Sequence, residues 1–338
     1  MKKATVFDVA REAGVSMSSV SRVLNNVDPV SPRLRDQVEQ AVEKVGYHHR
    51  RHAGSRTSFI AVLIVDGANP YFTELYEGIL EASTRLEMVS SLLDLKGGEE
   101  HVERISRWIV KSGCDGIIYC SSSHTLSNEK LASFSDQYRI PVVLINRDFS
   151  HPKIPTIRIN FEEGMYGATR HLLKLSHRRI ACLTGRPGSD SDIGKLKGVE
   201  RALAEVNLSI SPDLFLSGDS TIEWGYQNMN RFLALPEDRR PTAVLAFNDL
   251  LALGAMHAMR ARRLRTPDDV SIVGFDDVAM SAHSNPPLTT VSPPKRQMGN
   301  LAVRLLHQIR TEGSVEMERY TMLESPLIVR ESTGYCRQ

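Results

Sequence analysis

The chain has 338 residues, of which 41% are hydrophobic and 24% charged, and its formal net charge is +2. This is the composition of a soluble globular protein, and the length predicts two or three domains. No apolar run approaches the roughly 18 residues that a membrane span requires, and Met1-Lys2-Lys3 leads into a polar helix rather than the apolar core of a signal peptide. We therefore expect a cytoplasmic protein that does not contact membranes.

The charge is unevenly distributed along the chain. Residues 1–57 carry ten Lys and Arg against six Asp and Glu, whereas the remaining residues carry 32 against 34. A basic N-terminal module on a slightly acidic body is typical of a protein that binds a polyanion at one end. The cysteines lack metal-ligand or CxxC spacing, which predicts reduced thiols, no metal and no cofactor; they are Cys114, Cys120, Cys182 and Cys336.

Residues 5–25 have the pattern of two short helices joined by a tight turn. Thr5 is the predicted N-cap of the first helix, with Asp8 as the capping-box acid. Gly14 ends this helix because glycine adopts the left-handed turn at low cost, and Ser16 caps the next helix. The apolar positions of the first helix recur at i, i+3, i+4 and i+7, which lines one helix face; they are Val6, Val9, Ala10 and Ala13.

The second helix leaves a polar stripe on the surface. Val20, Val23 and Leu24 are predicted to face inward, so the other side chains point away from the helix pair. Polar side chains of this length reach base edges in a DNA major groove, which indicates a helix-turn-helix. An ordinary pair of packed helices with a solvated polar face is the alternative. The outward stripe consists of Met17, Ser18, Ser21, Arg22 and Asn25.

A third helix and a basic linker follow. Ser31-Pro32 supplies an N-cap and a proline at the first helical position, and apolar residues continue at helical spacing to Val45. We expect this helix to close a small core with the first two. Residues 48–58 are basic and lack large apolar side chains, which predicts a linker. Arg50 and Arg51 are candidate phosphate contacts, with a solvated linker as the alternative.

Beyond residue 58, short apolar runs alternate with amphipathic helices. Continuous rather than alternating hydrophobicity predicts strands buried on both faces, and hence parallel sheets covered by helices. These runs are too many for one compact sheet, so we expect two doubly wound lobes, with a change of lobe near Asn160 and a return near residues 286–291. The candidate strands are residues 59–65, 89–95, 116–120, 141–145, 179–184, 242–247 and 270–275.

Several segments together resemble the lactose-repressor (LacI/GalR) family of bacterial transcription regulators. They are residues 4–25, 66–72, 140–147, 177–181, 246–249, 273–277 and 286–291, so the resemblance covers the chain to about residue 330. It implies an N-terminal all-α helix-turn-helix headpiece (1–47), a basic hinge (48–58) and an α/β two-lobed, periplasmic-binding-protein-like effector domain with two doubly wound parallel sheets (59–338). The expected N-lobe is about 59–160 and 290–320, and the expected C-lobe is about 161–289 and 321–338.

Ligand contacts are predicted at the carboxyl ends of the strands, where parallel sheets bind ligands. Ser121 and Asn146 directly follow the third and fourth apolar runs. Tyr71 and Phe72 are aromatic residues that stack on a flat or sugar-like ligand or else belong to the core. Asp276 follows the last apolar run, where a carboxylate is costly unless it meets a donor.

The resemblance adds three further positions to this set. Asn248, like Asp276, matches a position that contacts ligand hydroxyls or ring nitrogens, although Asn248 is equally suited to cap its own helix. Lys195 stands where the family usually has an arginine, and a lysine supplies a point charge without the bidentate fork. Ser220 replaces a frequent aromatic residue. These two differences favour a bulkier or differently charged ligand than a simple hexose.

The resemblance implies a ligand-responsive, sequence-specific DNA-binding transcriptional regulator. We expect a repressor whose affinity for double-stranded operator DNA changes when a small sugar-like effector binds between the lobes. A homodimer is expected, because one headpiece makes too few contacts for tight specific binding. The predicted DNA contacts are Thr5, Ser16, Met17, Ser18, Ser21, Arg22, Asn25, Ser31, Tyr47, Arg50 and Arg51, with Tyr47 implied by the resemblance.

Two other classes of protein are considered. A solute-binding receptor of the same body fold would work without DNA, and the predicted headpiece argues against it. A sugar-active enzyme needs a catalytic set, but residues 188–196 have the wrong spacing for a phosphate loop and Leu196 replaces the required Ser or Thr. His171 and His177 lack a partnered cysteine or acid and are interpreted as surface or capping residues. The sequence therefore predicts no catalysis.

Overall fold

A computed structural model describes residues 5–24, 30–45, 58–121, 125–185, 187–312 and 320–337. The chain divides into two compact units, residues 1–57 and 58–338. In the described ranges, every helix is too short or too polar to cross a lipid bilayer. The predicted linker at 48–58 lies outside these ranges except for Ser58, which begins the first strand.

The described part of the first unit consists of three helices, α1 (Val6–Ala13), α2 (Met17–Leu24) and α3 (Pro32–Val45). Val9, Val20 and Val38 come from one helix each, and all three are 0% exposed in a single small core. Two such short helices bury too little apolar surface to hold each other in place. The expectation that the third helix closes this core is therefore confirmed.

Polar caps define the turn between α1 and α2. The Thr5 hydroxyl accepts from the Asp8 N–H at 3.4 Å, and the Asp8 carboxylate accepts from the Thr5 N–H at 2.9 Å, which forms a reciprocal capping box. Gly14 has φ +63° and ends α1 in the left-handed conformation. The Ser16 hydroxyl then accepts from the Ser19 N–H at 3.1 Å. The predicted helix-turn-helix geometry is thus confirmed at each cap.

The second unit contains two six-stranded sheets. Its strands are β1 (Ser58–Ile64), β2 (Met88–Asp94), β3 (Gly116–Cys120), β4 (Val142–Ile145), β5 (Thr156–Ile159), β6 (Ile180–Thr184), β7 (Phe215–Ser217), β8 (Ala243–Ala246), β9 (Ser271–Phe275), β10 (Thr289–Val291), β11 (Tyr320–Leu323) and β12 (Leu327–Ile328). The first sheet has the order β11-β5-β4-β3-β1-β2 and is entirely parallel. The second has the order β12-β10-β9-β8-β6-β7 and is parallel except for the β10–β12 pair.

Helices connect most successive strands, and the exceptions are β4 to β5 and β11 to β12. The helices are α4 (Pro70–Arg85), α5 (Glu99–Ser112), α6 (Asn128–Tyr138), α7 (Phe161–Lys174), α8 (Asp190–Ala204), α9 (Ile222–Leu233), α10 (Asp249–Ala261), the short α11 (Ala279–Ala282) and α12 (Lys295–Glu312). Strands β3, β4, β6, β8 and β9 are buried along their whole length. The prediction of two doubly wound parallel sheets is confirmed, because only helices on both faces bury such strands.

The predicted strands and lobe boundaries need two corrections. All seven predicted strands are present, but the five short strands β5, β7, β10, β11 and β12 were not predicted, because their apolar runs are brief. In addition, β10 pairs with β9 in the second sheet and β11 pairs with β5 in the first. The expected boundaries at 290 and 321 are therefore a few residues too early. Backbone pairing decides to which sheet a strand belongs, and the apolar pattern does not reveal it.

His177 is a buried residue rather than a surface residue. It is 2% exposed, and its two ring nitrogens lie 3.0 Å from the Thr242 hydroxyl and 3.0 Å from the Gly334 carbonyl oxygen. Burial lowers the pKa of His177, so the ring stays neutral at physiological pH. The surface interpretation was wrong because both partners are distant in the sequence. The residue attaches the C-terminal segment to the second lobe.

Helices α9 and α10 touch backbone to backbone at two glycines. A methyl group on Gly254 would lie 2.0 Å from the Ile222 carbonyl oxygen, and one on Gly225 would lie 2.2 Å from the Leu251 carbonyl oxygen. Neither backbone can move aside as a flexible side chain would. The same close approach occurs where α4 crosses α12, at Gly78 and Gly299.

We expect Gly254→Ala to lower the free energy of unfolding by about 1–3 kcal/mol, because the added methyl overpacks the contact. Gly167→Ala is the matched control in α7, since Gly167 is exposed and a methyl group there meets no atom within 4 Å. The control should stabilise the protein by about 0.5–1 kcal/mol. Urea unfolding followed by circular dichroism measures both changes. Equal midpoints for the two variants would contradict the close contact.

Candidate functional site

A cleft of about 550 Å³ lies at the carboxyl ends of strands from both sheets. It is lined on one side by the segments after β3 and β4 and by the first turn of α4, and on the other side by α8 and the segments after β7, β8 and β9. The structure brings all the predicted ligand contacts together in this cleft. They are Tyr71, Phe72, Ser121, Asn146, Lys195, Ser220, Asn248 and Asp276.

Tyr71 and Asn146 form a polar pair on the first-sheet side of the cleft. Each is 7% exposed, and the Asn146 side-chain Nδ2 donates to the Tyr71 hydroxyl oxygen at 2.8 Å. Burial raises the pKa of Tyr71, so its hydroxyl stays neutral. The Asn146 Oδ1 is buried and has no hydrogen-bond partner among the described residues. The core interpretation of Tyr71 is confirmed, and because the residue also lines the cleft, stacking on a ligand stays a prediction.

Asp276 presents an acid from the opposite side of the cleft. It is 9% exposed, and among the described residues its carboxylate has neither a hydrogen-bond donor nor an ion-pair partner. Its backbone has φ +114°, which is unusual for an aspartate. The Asp276 N–H donates to the Val291 carbonyl at 2.9 Å, and the Lys295 ammonium donates to the Asp276 carbonyl oxygen. These two bonds hold the unusual conformation.

Burial raises the pKa of Asp276 to about 7, although the ammonium groups of Lys195 and Lys295 oppose this shift. The nearby carboxylates of Asp249 and Asp192 add to it. An uncompensated carboxyl group in a cleft is costly, and a donor from a ligand removes that cost. The site is therefore suited to bind a ligand that donates hydrogen bonds.

Lys195 is directed at the cleft wall rather than at an open position. Its ammonium donates to the Phe247 carbonyl oxygen at 2.7 Å and lies 4.1 Å from the centroid of the Phe275 ring and 5.4 Å from that of Phe161. No carboxylate of the described residues lies within 4 Å of the ammonium. The lysine therefore acts mainly as an internal cation that neighbours two acids, Asp192 and Asp276.

Asn248 has the capping role that the sequence left open. Its Oδ1 accepts from the Leu251 N–H at 2.8 Å, and its Nδ2 donates to the Ser220 carbonyl oxygen at 3.2 Å. Both ends of the amide are thus engaged within the protein, although the residue also lines the cleft. A ligand that contacts the Asn248 amide would therefore have to share its atoms with the Leu251 N–H and the Ser220 carbonyl oxygen.

Several acidic and polar residues that line the cleft were not predicted from the sequence. Asp192 is the most informative, because burial raises its pKa and Lys195 opposes that shift. The two residues are three apart in α8, a spacing that places them on one helix face, and this was the available signal. The other missed lining residues include Asp66, Asn69, Lys96, Ser189, Ser191 and Asp219.

The candidate DNA-contacting surface lies on α2. Met17 is 56% exposed, and Ser18, Ser21 and Arg22 are also exposed. Among the described residues, none forms an ion pair with Arg22. The predicted contacts Thr5, Ser16 and Ser31 are exposed helix caps. Four predicted contacts lie outside the described residues: Asn25, Tyr47, Arg50 and Arg51.

The described residues contain no group of three or more His, Cys, Asp and Glu side chains that could hold a metal ion. The described cysteines are free thiols, and Cys114, Cys120 and Cys182 are buried. The chemistry of the cleft is therefore described by its hydrogen-bonding groups, its charges and its aromatic rings.

Two protein families match separate parts of the chain. Residues 5–49 match the family "Bacterial regulatory proteins, lacI family", and residues 169–333 match "Periplasmic binding protein-like domain". The chain is 32% identical over 333 residues to the HTH-type transcriptional repressor PurR of Aliivibrio fischeri (strain MJ11), which covers 97% of this chain and 98% of the relative.

Two solved structures are similar over the whole chain. A complex of the transcriptional regulator CelR with cellobiose has a TM-score of 0.72 and 30% identity, and covers 98% of this chain and 100% of the other. The lac repressor dimer bound to operator and the anti-inducer ONPF has a TM-score of 0.72 and 28% identity, with the same coverage. This chain therefore belongs to the lacI family of bacterial regulatory proteins, and it is a ligand-responsive, DNA-binding regulator of transcription.

Proposed function

We propose that this protein is a cytoplasmic homodimeric repressor that reads a near-palindromic operator through α2, and that an effector in the cleft sets its operator affinity. The observation that carries the proposal is the presence, in one chain, of an exposed polar stripe on α2 and of a cleft with unpaired polar groups. Two further findings support it: the similar PurR is named a repressor, and the similar lac repressor is a dimer bound to operator.

Within this proposal, residues 1–47 form the DNA-binding headpiece, residues 48–58 form the hinge and the remainder forms the effector domain. Two recognition helices about one DNA turn apart would read the two half-sites. The predicted DNA contacts on α2 would specify bases, whereas the arginines of the hinge would hold phosphates.

Lys295 connects the two lobes beside the cleft and could couple effector binding to the arrangement of the lobes. Its ammonium pairs with the Glu74 carboxylate at 3.1 Å and donates to the Asp277 carbonyl oxygen at 2.8 Å. Glu74 belongs to α4 of the first lobe, whereas Asp277 follows Asp276 after β9 of the second lobe. A ligand that contacts Asp276 would therefore act on a segment that is tied to both lobes.

An effector shifts the balance of states only if it binds one lobe arrangement more tightly. A coupling of about 1–3 kcal/mol is typical of such regulators and changes operator occupancy between several-fold and a hundredfold. Hydroxyls, amides, acids and aromatic rings line the cleft together, and a few polar groups set among aromatic side chains suit a sugar-like molecule. The similar CelR structure contains cellobiose.

The proposal is tested by fluorescence anisotropy with the purified full-length protein. Duplexes from the protein's own upstream region should bind more tightly than scrambled duplexes of the same length and salt concentration. Metabolites handled by the neighbouring gene products should then shift the affinity for the upstream duplex. Equal retention of both duplexes, or of neither at low salt, would contradict the proposal.

We expect Asp276→Ala to abolish the response to the effector while leaving operator affinity nearly unchanged, because Asp276 lines the cleft of the second unit, whereas the α2 stripe belongs to the first unit. Asp238→Ala is the matched control, since Asp238 is an exposed acid that does not line the cleft. The control should respond like the wild type. A full effector response in the Asp276 variant would remove this residue from the ligand site.

A further inference from the structure

Two hydrogen-bond acceptors without a donor among the described residues belong to residues that line the cleft from opposite sheets. The Asp276 carboxylate and the Asn146 Oδ1 belong to residues that are 9% and 7% exposed, and neither has a donor among the described residues. The Tyr71 hydroxyl accepts from Asn146 at 2.8 Å, and the charge of Asp276 raises the pKa of Tyr71, so the two sides of the cleft interact electrostatically. A ligand that donates from one end to both acceptors would satisfy them together.

The charges of the cleft favour the same conclusion. The described lining residues include four carboxylates and two ammonium groups, and one of the carboxylates, Asp219, is engaged by a partner of its own. Lys96 is largely exposed and lies 3.6 Å from the Asp66 carboxylate, so that pair is already balanced. Lys195 is engaged by the Phe247 carbonyl and the Phe275 ring. Among the described lining residues, neither Lys96 nor Lys195 is therefore available to pair with an anionic ligand.

Aromatic rings complete a site for a cation. Tyr71, Phe72, Phe161 and Phe247 line the cleft, and an aromatic face attracts a positive charge within about 6 Å of its centroid. The cleft wall already holds the Lys195 ammonium in this way, 4.1 Å from the Phe275 centroid. A second cation in the cleft would have both carboxylate and aromatic partners.

We propose that the effector carries a protonated primary amine on a polyhydroxylated scaffold, as in an amino sugar, with the ammonium placed between Asp276 and Asn146. This inference rests on the proposed function, because it names the chemical class of the effector for the same cleft. An ammonium offers three donors and no acceptor, which matches two unpaired acceptors and their aromatic surroundings. A phosphorylated or carboxylated sugar would meet the unpaired carboxylate and be repelled.

The proposed class of effector predicts how its binding affinity depends on pH. Burial raises the pKa of Asp276 to about 7; Asp192 and Asp249 add to this shift, whereas Lys195 and Lys295 oppose it. Because an ammonium binds the ionised carboxylate, the affinity for an amine should increase as the pH rises toward about 7, and it should decrease at higher pH once the amine itself loses its proton. A neutral hydroxyl binds the protonated acid as well, so its affinity should change much less.

The test uses matched sugars and isothermal titration calorimetry with the full-length protein. Each scaffold is offered as the amine, the neutral sugar and an anion; one such set is glucosamine, glucose and glucose 6-phosphate, and others use galactose and mannose. At least one amine should bind about tenfold more tightly than its neutral and anionic counterparts, as expected for a buried charge pair. Tightest binding by a neutral or anionic sugar, or no binding by any amino sugar, overturns the proposal.

Two variants test the placement of the charge. Asp276→Asn keeps the size and one acceptor but removes the charge, and should weaken amine binding by about tenfold or more while changing neutral-sugar binding by less than about threefold. Asn146→Asp adds a charge on the opposite side and should strengthen amine binding, so it decides the matter if the first variant fails to fold. Weaker amine binding by Asn146→Asp would contradict the placement. The proposed function is tested separately by DNA binding, and equal binding of operator and random duplexes by the wild type would contradict it. The calorimetry contains no DNA, so its outcome bears only on the class of effector.

Discussion

Arg22→Ala is expected to weaken binding to the cognate operator by about 1–3 kcal/mol and to relax base preference at the contacted position. Arg22 lies on the exposed stripe of α2, and within the described residues no acid pairs with it. Its removal should therefore cost little stability. A guanidinium on this stripe would form a bidentate contact with a guanine edge, which no neighbouring serine can replace.

Anisotropy titrations with the cognate duplex and a random duplex at two salt concentrations measure this effect. Arg11→Ala is the matched control, because Arg11 is an exposed arginine of α1 whose side chain pairs with Asp8 at 3.1 Å. The control should not change the ratio between the two duplexes. Equal losses of Arg22→Ala on both duplexes would assign Arg22 to the phosphate backbone and exclude base reading by this residue.

Asp249→Ala is expected to lower the free energy of unfolding of the second unit by about 3 kcal/mol or more. The carboxylate is 0% exposed and accepts from the Thr290 hydroxyl at 2.6 Å, the Ser281 hydroxyl at 2.6 Å and the Val278 N–H at 2.9 Å. Without it three buried donors lose their acceptor, and each unsatisfied group costs about 1–3 kcal/mol. The bonds join the start of α10 to α11 and β10.

Asp249→Asn is the matched control, because its Oδ1 can retain two of these donors while its Nδ2 faces Thr290. It should lose less stability than the alanine variant. Burial raises the pKa of Asp249 to about 6, so this carboxyl group contributes stability at low pH that is lost as the pH rises through about 6. The asparagine cannot ionise, and its cost relative to the wild type should therefore be smaller at alkaline pH than at acidic pH.

Urea unfolding of the three proteins at an acidic and an alkaline pH, with the ligand absent, measures these costs. The contributions of titrating groups that do not interact with Asp249 cancel in the difference between wild type and variant. Asp276 is one exception, because Asp249 raises its pKa, and the asparagine relieves this repulsion at alkaline pH as well. An alanine variant as stable as the wild type would show that the three donors find other acceptors. An asparagine cost that grows with pH would contradict the raised pKa.

Local patterns were sufficient to predict the helices of the first unit and the buried strands of the second. The caps at Thr5 and Ser16 act within three residues, and a run such as Gly116–Cys120 is apolar throughout because both faces of its strand are covered. Such signals depend on neighbours along the chain. The positions of Asn146 and Asp276 in the cleft were also predictable, since strand ends of parallel sheets meet at one edge.

The partners of individual side chains were decided by the tertiary structure alone. Lys195 was correctly placed at the cleft, but only the fold brings the Phe247 carbonyl and the Phe275 ring to its ammonium. The interaction of His177 with Gly334 spans 157 residues of chain. The tertiary structure also decides the state of Asp276. Segments that are distant in the sequence bury its carboxylate, and among the described residues they supply no donor to it.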